Sequence, residues 1–86
     1  MADLNQLADI VMKYAKETHQ FITPNQVGDP IQPSPNSLQP DQFNQFFFDL
    51  LNHLTDASVS ANLPMEALKA CRTWRDVVSL VFHFEN

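Results

Sequence analysis

The stretch Pro40-Asp41-Gln42-Phe43-Asn44-Gln45-Phe46-Phe47-Phe48-Asp49-Leu50-Leu51-Asn52-His53-Leu54 decides the fold class. Phe43, Phe46, Phe47, Leu50, Leu51 and Leu54 follow the i, i+3, i+4, i+7, i+8, i+11 spacing of a helix with one buried face. Pro40 suits the first helical turn, where its missing N–H is no loss. Asp41 favours the positive end of the helix dipole. Asn44, Gln45, Asn52 and His53 form the wetter side. Phe48 lies outside the main stripe, so it either widens the buried face or sits near the surface.

Two further helices flank this one. Leu4, Leu7, Ile10, Val11 and Tyr14 recur at steps of three and four, which predicts a helix from about Asp3 to His19, with Asp3 placed to cap it or to favour its N-terminal dipole. Towards the C-terminus, Thr73 and Asp76 stand at capping-box spacing. Trp74, Val77, Val78, Val81 and Phe82 give the helix that follows an apolar face. A short helix is expected from Pro64 to Ala70, after a polar stretch from Thr55 to Asn62. The only run that reads as a strand is Ser79 to Phe84.

Residues 20–40 break the pattern. Pro24, Pro30, Pro33, Pro35 and Pro40 each remove a donor and restrict the residue before them, so no helix or central strand is expected there. A connection this long in a small domain is often functional. Phe21, Ile22, Val27 and Ile31 predict that it is tacked onto the core. The core itself should be built from Leu7, Ile10, Val11, Tyr14, Phe43, Phe46, Phe47, Leu50, Leu54, Val77, Val78 and Val81.

Composition narrows the function. Eighty-six residues make one domain, spanning 1–86. No apolar run approaches about 18 residues, so no segment is expected to span a membrane. The first 20 residues carry Asp3, Asp9 and Glu17 and lack the apolar centre of a signal peptide. With a single Cys there is no internal disulfide, and the cytoplasm is the expected compartment. A net charge of −5 disfavours nucleic acid and anionic membranes and suits partners with basic patches.

The order helix, long irregular loop, helix, short helix, helix is unusual for a simple bundle, which uses short connections. It resembles the acyl carrier protein family. The tail Leu63-Pro64-Met65-Glu66-Ala67-Leu68-Lys69-Ala70-Cys71-Arg72-Thr73-Trp74-Arg75-Asp76-Val77-Val78 is similar to the family's ending, in which an apolar-Pro pair opens a short third helix and a Thr before an apolar residue opens the fourth. Asp29-Pro30-Ile31 and Asn36-Ser37-Leu38 resemble the stretch before the family's second helix, where Asp-Ser-Leu stands. The resemblance implies an all-α, acyl-carrier-protein-like four-helix bundle with a long proline-rich loop after helix one.

In that family a serine at the start of helix two bears a 4′-phosphopantetheine arm, whose thiol carries an acyl group as a thioester. The resemblance therefore implies a carrier of thioester-bound intermediates in a specialised fatty-acid, polyketide or peptide pathway. Synthase or transferase proteins would be its partners. The candidate for attachment is Ser37, with Ser34 as a weaker one. Counted from helix one, Ser37 takes the serine's place. Counted from helix two, Asp41-Gln42-Phe43 falls there, Gln42 replaces the serine, and no arm is attached. The second register implies an arm-less adaptor that docks a partner through Leu38, Gln42, Gln45 and Phe48. Helix two offers only Asp41 and Asp49 where the family is typically rich in acids, which favours a dedicated partner.

No other constellation competes. His19, His53 and His83 lie on different segments and show no metal-ligand spacing, so no metal is expected and surface roles are. Arg72 beside Cys71 would lower a thiol pKa, but a buried structural thiol is the better reading. Gly28 is the only glycine, which leaves no phosphate loop. Phe46-Phe47-Phe48 without neighbouring Lys or Arg reads as core, not as a platform for bases. Lys13, Lys16, Arg72 and Arg75 read as solvated. An enzyme is not expected, and the chain is expected to be a monomer.

Overall fold

Side-chain caps set where the outer helices begin. In the computed structural model, which describes residues 2–86, α1 spans Leu4–Glu17. The Asp3 carboxylate accepts from the Gln6 N–H at 2.8 Å and the Gln6 side chain accepts from the Asp3 N–H at 2.9 Å. The main central helix, α2, spans Pro40–Asp56 with Gln39 at its N-cap; a short α3 follows over Met65–Lys69. The last helix, α4, spans Trp74–Phe84 behind the Thr73/Asp76 box. Reciprocal caps of this kind satisfy amides that no helical carbonyl can reach.

The fold is all-α. Among the described residues there is no strand, only two isolated bridges, Pro30 to Thr73 and Ala61 to Glu85. The run Ser79 to Phe84 is helical. No helix is long and apolar enough to cross a membrane. α1 packs chiefly on α4 and also on α2, while α3 bridges α2 and α4.

An aromatic cluster fills the centre. Phe46 and Trp74 are fully buried, and the Tyr14 ring lies 6.2 Å from Phe46 and 6.3 Å from Trp74. Phe21 comes in from the loop and meets Phe46 edge-on at 4.8 Å and Trp74 at 5.5 Å. Such edge-to-face contacts set the positive rim of one ring against the negative face of another. Ile10 is only half-buried, at the edge of the α1 stripe. Every other residue expected in the core is buried.

Several expectations are corrected. α1 ends at Glu17, two residues before His19. Thr18 is extended, and its hydroxyl accepts from the Gln20 N–H at 3.3 Å, which offers the backbone a local alternative to the helix. That break turns Phe21 inward. The short helix starts and stops one residue inside the expected limits, with Pro64 and Ala70 as its caps. Phe82 is 42% exposed, because Val78 and Val81 already occupy the seam and Phe82 falls beyond its edge.

The proline-rich segment is anchored as expected through buried Phe21 and Ile31 and partly buried Val27, but Ile22 is exposed. Its neck is closed by the Ile22 N–H donating to the Gln32 carbonyl at 2.8 Å. Its far side is tied to the start of α4: the Ile31 N–H reaches the Arg72 carbonyl at 2.8 Å, and the Trp74 N–H reaches the Asp29 carbonyl at 3.2 Å. It also holds one piece of regular structure that the prolines had argued against, a 3-10 turn over Pro35–Ser37. Pro35 opens the turn, where its missing N–H costs nothing.

Candidate functional site

Ser37 closes the 3-10 turn. Its N–H and its hydroxyl both donate to the Ser34 carbonyl, at 2.9 and 2.7 Å. Pro35 is buried and pins the turn to the body of the protein, while Ser34, Asn36 and Ser37 are exposed. The Ser37 oxygen is therefore held by one local bond and remains open to solvent. Gln39, not Ser37, caps α2, so Ser37 stands three residues ahead of the helix start at Pro40.

The turn packs against α3. Between them runs a groove of about 520 Å³ lined by Ser34, Asn36, Glu66, Lys69, Cys71 and Arg72. Arg72 reads from sequence as a solvated charge; the fold sets it, with Lys69, beside the serine-bearing turn. Lys69 also holds its ammonium 5.2 Å above the Phe43 ring, a favourable cation–π placement. The signal available in the sequence was only the short spacing from Lys69 to Arg72, which says nothing of a turn thirty-odd residues earlier.

Cys71 borders the groove but is not a reactive thiol. It is buried and its Sγ donates to the Ala67 carbonyl at 3.4 Å. Burial, with the Asp76 carboxylate adding to it, pushes the thiol up to about 11. That is opposite to the lowering that Arg72 alone would give.

The expected helix-two residues do not converge on one point. Leu38 is half-buried against the core. Gln42 is exposed, but its side-chain oxygen accepts from the Gln39 N–H at 3.0 Å and its carbonyl accepts from Gln20 Nε2 at 2.6 Å. Gln42 thus helps to close the start of α2. Gln45 is exposed one turn on. Phe48 is 56% exposed and lies about 12 Å along the axis from Pro40. Its ring stands edge-on to Phe47 at 5.3 Å, so it rests on the core without entering it. Phe43 is buried and is not a surface beside Ser37.

Of the histidines, His19 and His83 are exposed as expected. His53 is not a free surface residue. Its side chain is 21% exposed, packs edge-on to Tyr14 at 5.6 Å, and lies 4.0 Å from the Glu17 carboxylate. Among the described residues no three His, Cys, Asp or Glu side chains gather closely enough to hold a metal ion. The Ser37 hydroxyl is exposed on its turn, next to a groove that carries Lys69, Arg72 and Glu66. Compared with known proteins, the chain matches no family model, no curated protein and no solved structure.

Proposed function

We propose that the protein is an acyl- or peptidyl-carrier-like domain that bears a 4′-phosphopantetheine arm on the Ser37 oxygen. Its pathway would be a specialised fatty-acid, polyketide or peptide one. The observation that carries this reading is the exposed Ser37 hydroxyl on a pinned turn ahead of α2, beside the groove with Lys69 and Arg72. When attached, the arm supplies the thiol that holds a thioester. The chain's own part is to present and orient. Pro35 fixes the turn, and Leu38 gives an apolar flank. Lys69 and Arg72 offset the charge of a phosphate in the groove. Ser37 needs no base of its own, because a partner transferase performs the attachment.

A second reading rests on Gln42. If helix two sets the register, the site has lost its serine. The face from Leu38 through Gln42 and Gln45 to the exposed Phe48 would then dock a partner protein. One experiment separates the two. The intact mass is measured after incubation with coenzyme A and several broad-specificity phosphopantetheinyl transferases. The carrier reading expects wild type to gain the arm and Ser37→Ala to gain nothing, with helical content preserved. A wild type that never gains mass leaves the adaptor reading.

A further inference from the structure

A second site lies in the later half of α2, about 20 Å along its axis from the helix start near Ser37. Between the last turn of α1 and that half of α2 is a cleft of about 260 Å³. Its walls carry three carboxylates, Glu17, Asp49 and Asp56, together with His53 and Thr18. Among the described residues only Glu17 has an ion-pair neighbour within 4.0 Å, and that is His53. Asp49 and Asp56 are unpaired.

The floor of the cleft supplies an independent observation. Tyr14 is only 4% exposed, yet its hydroxyl has no hydrogen-bond partner. Thr18 and Asp49 line the same cleft beside it. Tyr14 is itself one of the residues that line the cleft, and its hydroxyl is buried beneath the surface there. A buried hydroxyl without a partner is costly, and an incoming polar group that meets it recovers that cost.

The occupant is narrowed by size and charge. The carboxylates do not gather tightly enough for a metal ion. They are spread over two helices, which suits a planar cation with donors on several sides. The volume is that of a side chain, not of a large metabolite. We propose that this cleft receives an arginine side chain from a partner protein, with Glu17, Asp49 and Asp56 taking the guanidinium and the Tyr14 hydroxyl meeting one of its N–H groups. Half-buried Ile10, in the adjoining cleft with Asp9 and Lys13, gives the rest of the partner an apolar foothold. The site is independent of Ser37 and stands whether or not an arm is attached.

The test is a titration of the ¹⁵N-labelled 86-residue chain with the peptide acetyl-Gly-Arg-Gly-amide, followed by amide chemical shifts. Saturable shifts should be confined to residues 14–18 and 49–56. They should vanish with the citrulline peptide, which is uncharged but nearly isosteric, and weaken with the lysine peptide. Asp49→Asn and Asp56→Asn should each weaken binding about two- to fivefold, as for a partly exposed ion pair. Tyr14→Phe keeps the ring and the packing and should also weaken it, while Glu66→Gln on the far groove should not. Shifts that are absent, that persist with citrulline, that are equal with lysine, or that fall equally in Glu66→Gln would overturn the proposal.

Discussion

Asp76 serves two backbone groups at once. Its carboxylate accepts from the Arg72 N–H at 2.9 Å and the Thr73 N–H at 3.1 Å, while its own N–H donates to the Thr73 hydroxyl at 3.2 Å. These bonds favour the ionised form and hold its carboxyl below the usual carboxylate range. Asp29 is lowered in the same way by the Asn25 and Gln26 N–H groups. For a lowered group, the stabilisation is complete above the unfolded value of about 3.9 and is lost as pH falls through the folded value. Asp76→Asn should therefore lower stability at pH 7 by no more than about 1 kcal/mol, because the carboxyl is well solvated. Denaturant titrations at stepped pH should show that gap closing below about pH 4. A gap that stays constant to pH 2 would mean that ionisation is not the cause. The Thr73/Asp76 box was legible in the sequence because both partners sit at fixed spacing. The orphan Tyr14 hydroxyl was not, since its lack of a partner depends on three segments meeting.

α2 shows how an element can be read and its end missed. The apolar spacing gave its face, and Pro40 and Asp41 gave its start. Its C-terminus carried no glycine to mark it. The chain leaves the helix through Ser58, which takes a left-handed φ of 64°. The Ser58 N–H then reaches the Thr55 carbonyl at 2.9 Å, and the Val59 N–H reaches the Leu54 carbonyl at 2.8 Å. This is a Schellman ending, and buried Val59 and Leu54 make the apolar contact that goes with it. Serine pays a steric cost in this conformation that glycine does not. Ser58→Gly should therefore raise stability by about 0.5–1 kcal/mol, read as an unchanged denaturant slope with a higher midpoint. A lower midpoint would show that the serine side chain has a stabilising role of its own. α1 is the same case: its cap was legible, and its end at Glu17 was not, because the local bond that the Thr18 hydroxyl accepts from the Gln20 N–H, which breaks the helix, leaves no mark in the apolar spacing.

Across the whole molecule, the helices and the core followed from periodicity, because burial on one face leaves a repeat in the sequence. The packing of the long loop did not. Phe21 and Ile31 are buried and Ile22 is exposed, although all three are apolar. Only the hydrogen bonds to Gln32, Arg72 and Asp29 sort them. For the same reason the groove between the 3-10 turn and α3 had no signal along the chain. The core assignment separates neighbouring residues. Phe47→Ala should cost about 3–5 kcal/mol, and Phe48→Ala, at an exposed position, within about 0.5 kcal/mol. Equal losses in chemical denaturation would contradict the assigned faces of α2. The proposed carrier role rests on Ser37, raised on its pinned turn, as the point of attachment. The most direct test is fragmentation mass spectrometry of the protein after treatment with coenzyme A and a phosphopantetheinyl transferase. A single phosphopantetheinyl group on Ser37 is expected; a group on Ser34, or none with any transferase, would overturn the assignment.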